Sequence, residues 1–245
     1  MFESTLPLGE PELMRASAFQ RYLAEIDRQQ SADDQPTASS RLSALSPSLL
    51  QDLLRFEQAG RQTELLEVVA ACVRHARPLC IHLQADTKVI PLTLFPMERL
   101  AHCPVPMKDF LEMRLTELQV MHVEPAVLRP PGDHVASLVG ELHLYHPLAP
   151  VTWEFAMRGK REDLLPEIAG LAAYRVAPGL DLRQLALAGP LQTAVRRLQR
   201  QTTNLREIAD WPGMDRARAT RLLNALYLQA GLIISRTHPA ATSGW

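Results

Sequence analysis

The stretch TTNLREIADWPGMDRARATRLLNALYLQAGLIISR, Thr202 to Arg236, decides how the rest of the chain is read. Asn204 and Glu207 have the spacing of a capping box, so LREIAD reads as a short helix with Leu205, Ile208 and Ala209 inward. Trp211-Pro212-Gly213-Met214 then reads as a turn, because proline ends the helix and glycine permits an unusual backbone angle. Asp215 is the expected cap of a longer helix, RARATRLLNALYLQAG. Its Ala219, Leu222, Leu223, Leu226 and Ala230 are the inward positions, and Gly231 is its stop. Leu232-Ile233-Ile234 opens a strand. Just upstream, Pro190 to Arg200 is an amphipathic helix with Leu191, Ala194, Val195 and Leu198 inward. Three helices followed by a strand are the order of a winged helix.

A DNA-reading version of that unit would place its third helix in the major groove, presenting Arg216, Arg218, Arg221 and Asn224 or Gln229. Arg196, Arg197, Arg200 and Arg206 would hold phosphates. Against this, a wing needs two strands, and after Ile234 only RTHPAATSGW remains, with Pro239 in it. The formal net charge of the whole chain is −1, so nucleic acid would have to be held by a local patch. The unit therefore reads first as a packed or partner-binding module and second as a DNA reader.

The pattern L-R-E-I-A, then R-A-T-R-L-L-N-A-L-Y-L-Q-A-G-L-I, resembles the helical tail of PATAN-type modules attached to bacterial response regulators. The resemblance spans Leu205 to Ile234. It implies a bacterial regulatory setting and carries over no functional residue.

The 245 residues are enough for one large domain or two smaller ones. An apolar share of 47% beside 22% charged residues is that of a soluble globular protein. Cys72, Cys80 and Cys103 lie far apart, which fits a reducing cytoplasm better than a disulfide framework. The N-terminal MFESTLPLGEPELM lacks the positive charge of a signal peptide, and no apolar run reaches the length of a membrane span. A cytoplasmic protein with no membrane partner is expected.

Glu12 to Gln30 has Leu13, Phe19, Tyr22, Leu23 and Ile26 near one helical face, and polar Ser31 to Ser40 reads as a flexible linker. Ser46-Pro47 starts a helix with Leu49, Leu50, Leu53, Leu54 and Phe56. Thr63 is the expected cap of a second one with Leu65, Leu66, Val69, Cys72 and Val73, the two forming a helical hairpin. From Pro78 the period becomes strand-like. Leu79, Ile81 and Leu83 alternate with Cys80, His82 and Gln84; ADTK turns; Ile90, Leu92 and Leu94 share a face, with Pro91 favouring an edge strand or a bulge. Leu100 to Cys103 is a further short strand, and MKDFLEMRL a short helix. LQVMHVE, VASLVGELHLYH and VTWEFAMR read as three more strands, the last with Val151, Trp153, Phe155 and Met157 inward. Lys160 to Tyr174 reads as a broken helix. The expected class is α+β: a small antiparallel sheet covered by helices, then a winged-helix-like unit. The expected divisions are 1–40 (helix and linker), 41–180 (α+β) and 181–245.

No nucleophile elbow, P-loop or dinucleotide fingerprint is present, so no reaction is indicated. His82, His102, His122, His143 and His146 lie in or near strands, but without the tight spacings of a metal motif, and they read as the wet face of a half-exposed sheet. Glu124, Glu141 and Glu154 sit singly. No catalytic residue, cofactor or metal is therefore expected. The sequence points to a non-enzymatic bacterial regulatory or scaffold protein that binds protein partners, with DNA binding as the alternative. The candidate contact residues are Arg196, Arg197, Arg200, Arg216, Arg218, Arg221 and Asn224.

Overall fold

The computed structural model describes residues 13–32, 46–59, 63–132, 141–185 and 187–242. The chain is mixed α+β, as expected, and divides into two compact units. Residues 1–63 and 75–146 make unit 1; residues 64–74 and 147–245 make unit 2. The boundary expected near residue 180 therefore falls inside unit 2. The two helices expected to form a hairpin, α2 (Pro47–Ala59) and α3 (Leu65–His75), group with different units.

Unit 1 is built on a five-stranded sheet, β1 (Leu79–Ala85), β2 (Lys88–Phe95), β3 (Leu100–His102), β4 (Gln119–Pro125) and β5 (Tyr145–Pro147), in the order β4-β1-β2-β3-β5. Alternation decides its faces. Leu79, Ile81 and Leu83 stand opposite Leu94, Leu92 and Ile90 in the antiparallel register, and all six are buried. Each contributes about 1.5–3 kcal/mol of hydrophobic transfer before entropy is counted. The other face carries Cys80, His82 and Gln84, and the helix α1 (Ala16–Ala32) lies on it. Ala16 and Phe19 pack with Val89, Leu23 and Met121. Tyr22, expected inward, is exposed. The linker expected at Ser31 to Ser40 lies, from residue 33 on, outside the described residues. α4 (Met107–Glu112) buries Met107 and Phe110.

Pro91 sits in an inner strand, where a residue without an N–H should break the ladder. β3 pairs only with Thr93 to Phe95, and the isolated bridge from Arg15 reaches only Lys88. Pro91 falls between these two partners and pairs with His82 on the other side. The bulge lies instead on β4, where His82 opposes His122 and Leu83 opposes Val120, leaving Met121 as the extra residue. Ser46 Oγ accepts from Leu49 N–H at 3.4 Å, as the cap reading required. Thr63 does not cap α3; its hydroxyl donates to the Phe56 carbonyl at 2.8 Å. In the expected strand VASLVGELHLYH, residues 135–140 lie outside the described residues, Leu142–Leu144 is a 3-10 turn, and only Tyr145 onward is strand.

In unit 2 the largest departure is VTWEFAMR, which is not a strand but most of helix α5 (Leu148–Arg158). Leu148, Val151, Thr152, Trp153, Phe155 and Ala156 are all buried. A helix buried on most sides has no clean 3.6-residue period, and its Val-x-Trp-x-Phe-x-Met alternation imitates a strand. The helical cues are Pro150 in the first turn, the Glu154–Arg158 pair at 3.2 Å and the stop at Gly159. Lys160 to Tyr174 is a series of turns ending in β6 (Ala173–Val176), not a helix. Arg161 fixes this passage: it bonds Glu64, Glu67 at 2.9 Å, and the carbonyls of Asp163 and Leu164 at 2.9 Å.

The rest of unit 2 is α6 (Gly189–Arg200), β7 (Thr203–Asn204), α7 (Leu205–Ala209), α8 (Arg216–Leu228), β8 (Leu232–Ser235) and α9 (Pro239–Thr242). The three strands pair antiparallel in the order β7-β6-β8. Asn204 accepts from Glu207 N–H at 2.9 Å and Asp215 from Arg218 N–H at 2.7 Å, so both expected caps form. Gly213 has φ +75 and leaves no room for a Cβ, which would lie 2.5 Å from Pro190 Cγ. The end of α8 differs from expectation. Ala230, at φ 53 and exposed, occupies the left-handed position, with Gly231 N–H bonding Leu226 O at 3.0 Å. Gly231 is glycine for another reason: a Cβ there would lie 2.2 Å from Leu180 Cδ2. Ala230→Gly is expected to stabilise the protein by about 0.5–1 kcal/mol, because it removes left-handed strain from an exposed cap. A denaturation midpoint that rises at unchanged slope would show it; a lower midpoint would contradict it.

Candidate functional sites

The seven contact residues expected from sequence divide by burial. Arg196, Arg197 and Arg200 stand exposed on α6, and the Arg197 guanidinium lies 4.5 Å from the Trp211 ring centroid. Arg216 and Arg218 are exposed in the first turn of α8, with Arg218 Nη1 donating to the Gly213 carbonyl at 2.8 Å. Arg221 is half-buried, and its Nε is enclosed with no hydrogen-bond partner among the described residues. Asn224 does not fit the contact role, because it is wholly buried. Its Oδ1 accepts from Leu165 N–H at 2.9 Å and its Nδ2 donates to Asp163 O at 3.0 Å.

From Ala219 to Leu228, α8 is buried at all but Arg221 and Tyr227, and it packs on α5. Gln229, also considered for base contact, donates to Ala149 O at 3.2 Å and to Thr152 Oγ1 at 2.9 Å. A groove of about 940 Å³ runs along α6, lined by Leu180, Leu182, Leu185 and Val195 and flanked by Arg183 and Arg196. Asn224→Ala should destabilise the protein by about 2–4 kcal/mol, since it strands a buried N–H and a carbonyl. Arg216→Ala should change stability by less than about 0.5 kcal/mol. Equal, small thermal shifts for both would contradict the bracing role of Asn224.

The strand histidines fall into two groups, both in unit 1. On the α1-covered face, antiparallel register sets Cys80 opposite Glu124 and His82 opposite His122. His82 Nε2 lies 2.9 Å from Glu124 Oε1 and 3.6 Å from Cys80 Sγ. The Phe19 ring stacks on His82 at 4.7 Å, and the His122 ring centroid is 5.8 Å away. Burial pushes the His82 pKa down, but Cys80 and Glu124 together outweigh it and hold it at about 9. The sequence placed Cys80 and His82 on one side of a strand and His122 and Glu124 in another strand; it did not join the two pairs. The usable signal was the i, i+2 spacing in Cys80-x-His82 and in His122-x-Glu124, which puts each pair on one face of its strand. The Cys80–His82–Glu124 donors lie within 4.8 Å of one another, so they can share a proton or a cation. A nucleophilic relay is not supported, because it needs the thiol and the acid on different ring nitrogens.

The second group is His102, buried edge-on against Tyr145 at 4.9 Å, with His146 nearby. Burial lowers the His102 pKa, and His146 lowers it further. Burial also lowers the His146 pKa, and His143, 3.5 Å from Glu141 on the surface, lowers it further. A histidine held neutral in the fold contributes stability above its unfolded value near 6.5, which is lost as pH falls below that value. As pH falls below that value, melting temperature should therefore be better retained in His102→Phe than in the unsubstituted protein. Parallel pH profiles for the two proteins would contradict this assignment.

Comparison with protein-family models finds no match to the chain. No curated protein and no solved structure matches it either. Among the described residues, no helix is long and apolar enough to cross a membrane.

Proposed function

We propose that this chain is a non-enzymatic bacterial regulatory or scaffold protein acting through protein–protein contacts. Its contact surface is the basic face of α6 together with the leucine-lined groove beside it. The observation that carries this reading is the burial of α8. The helix that a DNA reader would insert is buried from Ala219 to Leu228 at all but Arg221 and Tyr227 and packs on α5 and α7, and Asn224 and Gln229 bond inside the protein. α6, by contrast, keeps Arg196, Arg197 and Arg200 exposed, and Arg196 lines the groove with Leu180, Leu182 and Leu185. Arginines bordering an apolar groove suit a partner segment with hydrophobic anchors and acidic flanks.

A winged-helix-like reading of unit 2 is supported by the order α6-β7-α7-α8-β8. Among the described residues no strand follows β8; β6, which precedes α6, lies between β7 and β8. That reading agrees with the PATAN-like pattern of Leu205 to Ile234 and with a bacterial regulatory setting.

DNA binding is the second reading, favoured by the exposed Arg216 and Arg218 at the start of α8. Two measurements separate the readings. Fluorescence anisotropy with a labelled duplex at low salt should show no binding that depends on Arg216 and Arg218. Copurification of the tagged chain from native lysate should recover a defined partner that Arg196→Glu with Arg200→Glu abolishes and Arg216→Ala leaves in place. Salt-sensitive duplex binding lost on Arg216→Ala with Arg218→Ala would replace the proposal by the DNA reading.

A further inference from the structure

We propose that Cys80, His82 and Glu124 bind a single divalent metal ion of the zinc class on the α1-covered face of the unit 1 sheet. This site is independent of the contact surface on unit 2. A thiolate sulfur, an imidazole nitrogen and a carboxylate oxygen are the three donor types that zinc takes from proteins. The sulfur selects against magnesium and calcium, which prefer all-oxygen shells.

The distances fit. In a tetrahedral site with metal–ligand bonds of about 2.0–2.3 Å, neighbouring donor atoms stand roughly 3.3–3.6 Å apart. Here Sγ and Nε2 are 3.6 Å apart, Nε2 and Oε1 are 2.9 Å apart, and all three donors lie within 4.8 Å of one another. Small side-chain rotations open the center to metal size. The donors also converge on one point, since both Cys80 and Glu124 meet the same nitrogen of His82. A divalent cation there takes the place of the proton between them and is balanced by thiolate and carboxylate.

The frame is preorganised. Cys80 and Glu124 are cross-strand partners, and His82 is the next same-face residue of β1, so the sheet ladder sets their separations. Phe19 stacks on the His82 ring and limits its rotation. The His82 side chain is 15% exposed and that of Glu124 42%, so the carboxylate side meets solvent. Three protein donors with one side open to water match the type of site that retains an exchangeable fourth ligand. Binding motifs defined by close spacing along one loop or helix would not reveal such a site, because its donors lie 44 positions apart at most but adjacent in the ladder.

The experiment uses the full chain, stripped with a chelator and kept reduced, then titrated with Co2+ and afterwards with Zn2+. One equivalent of Co2+ should bind with a thiolate-to-cobalt charge-transfer band, and Zn2+ should displace it. Cys80→Ser should remove the band. His82→Gln and Glu124→Gln should each weaken binding by at least about 10- to 100-fold, the loss that outer-shell partners alone produce. Circular dichroism identifies any variant that fails to fold, and the unsubstituted protein supplies a test that needs no variant. Absence of stoichiometric Co2+ or Zn2+ binding to it overturns the proposal. So does a band that survives in folded Cys80→Ser, which would assign the thiolate to Cys72 or Cys103.

Discussion

The antiparallel register of β1 against its two neighbours is the constraint on which unit 1 depends. Six aliphatic side chains, Leu79, Ile81, Leu83, Ile90, Leu92 and Leu94, meet on one face only in that register. A slip of one residue would turn Cys80 and His82 into the core and expose the leucines, so burial and register enforce each other. The same alternation places Cys80, His82, His122 and Glu124 together on the opposite face. Chemistry on one side of the sheet is thus a consequence of packing on the other. The bulge at Met121 adjusts that face locally, and α1 closes part of it through Phe19 and Ala16.

Unit 2 depends on a different device, a pair of largely buried helices whose polar groups find partners inside the protein. α8 rests on α5; Asn224 satisfies backbone groups of the turn at Asp163 to Leu165, and Gln229 ties the end of α8 to Ala149 O and Thr152 Oγ1 of α5. Arg161 does the same for the turns after α5, reaching two glutamates and two carbonyls. These polar anchors hold a segment that has no regular secondary structure between Gly159 and Ala172. The result is an α8 available to solvent mainly at its first turn, and an α6 that keeps Arg196, Arg197 and Arg200 exposed, Arg197 lying over the Trp211 ring. That contrast shifts the weight of the functional reading from α8 to α6.

Local signals were legible wherever a single physical requirement dominated. The caps at Ser46, Asn204 and Asp215, the turn at Trp211 to Met214 and the β1–β2 hairpin all follow from short-range chemistry and appear as expected. Readings failed where burial was nearly complete. α5 has apolar residues on almost every side, so its period carries no information about which face is inward. Ala230 and Gly231 show a related failure. Glycine was the natural stop, yet the positive φ belongs to alanine, and the glycine answers to a leucine fifty-one positions away.

Sequence alone therefore determined the α+β class, the amphipathic helices, the β1–β2 hairpin and the absence of any familiar catalytic spacing. It also determined which side chains could share a face of a strand. Only the tertiary structure decided which strands pair, and hence that Cys80 and His82 meet Glu124. It likewise decided that Asn224 is a brace within unit 2 and that β6 supplies the central strand beside β7 and β8. The physical reason is the same in each case. Caps, turns and periodicity act over a few residues, whereas register and helix burial are set by partners that the chain brings together only on folding.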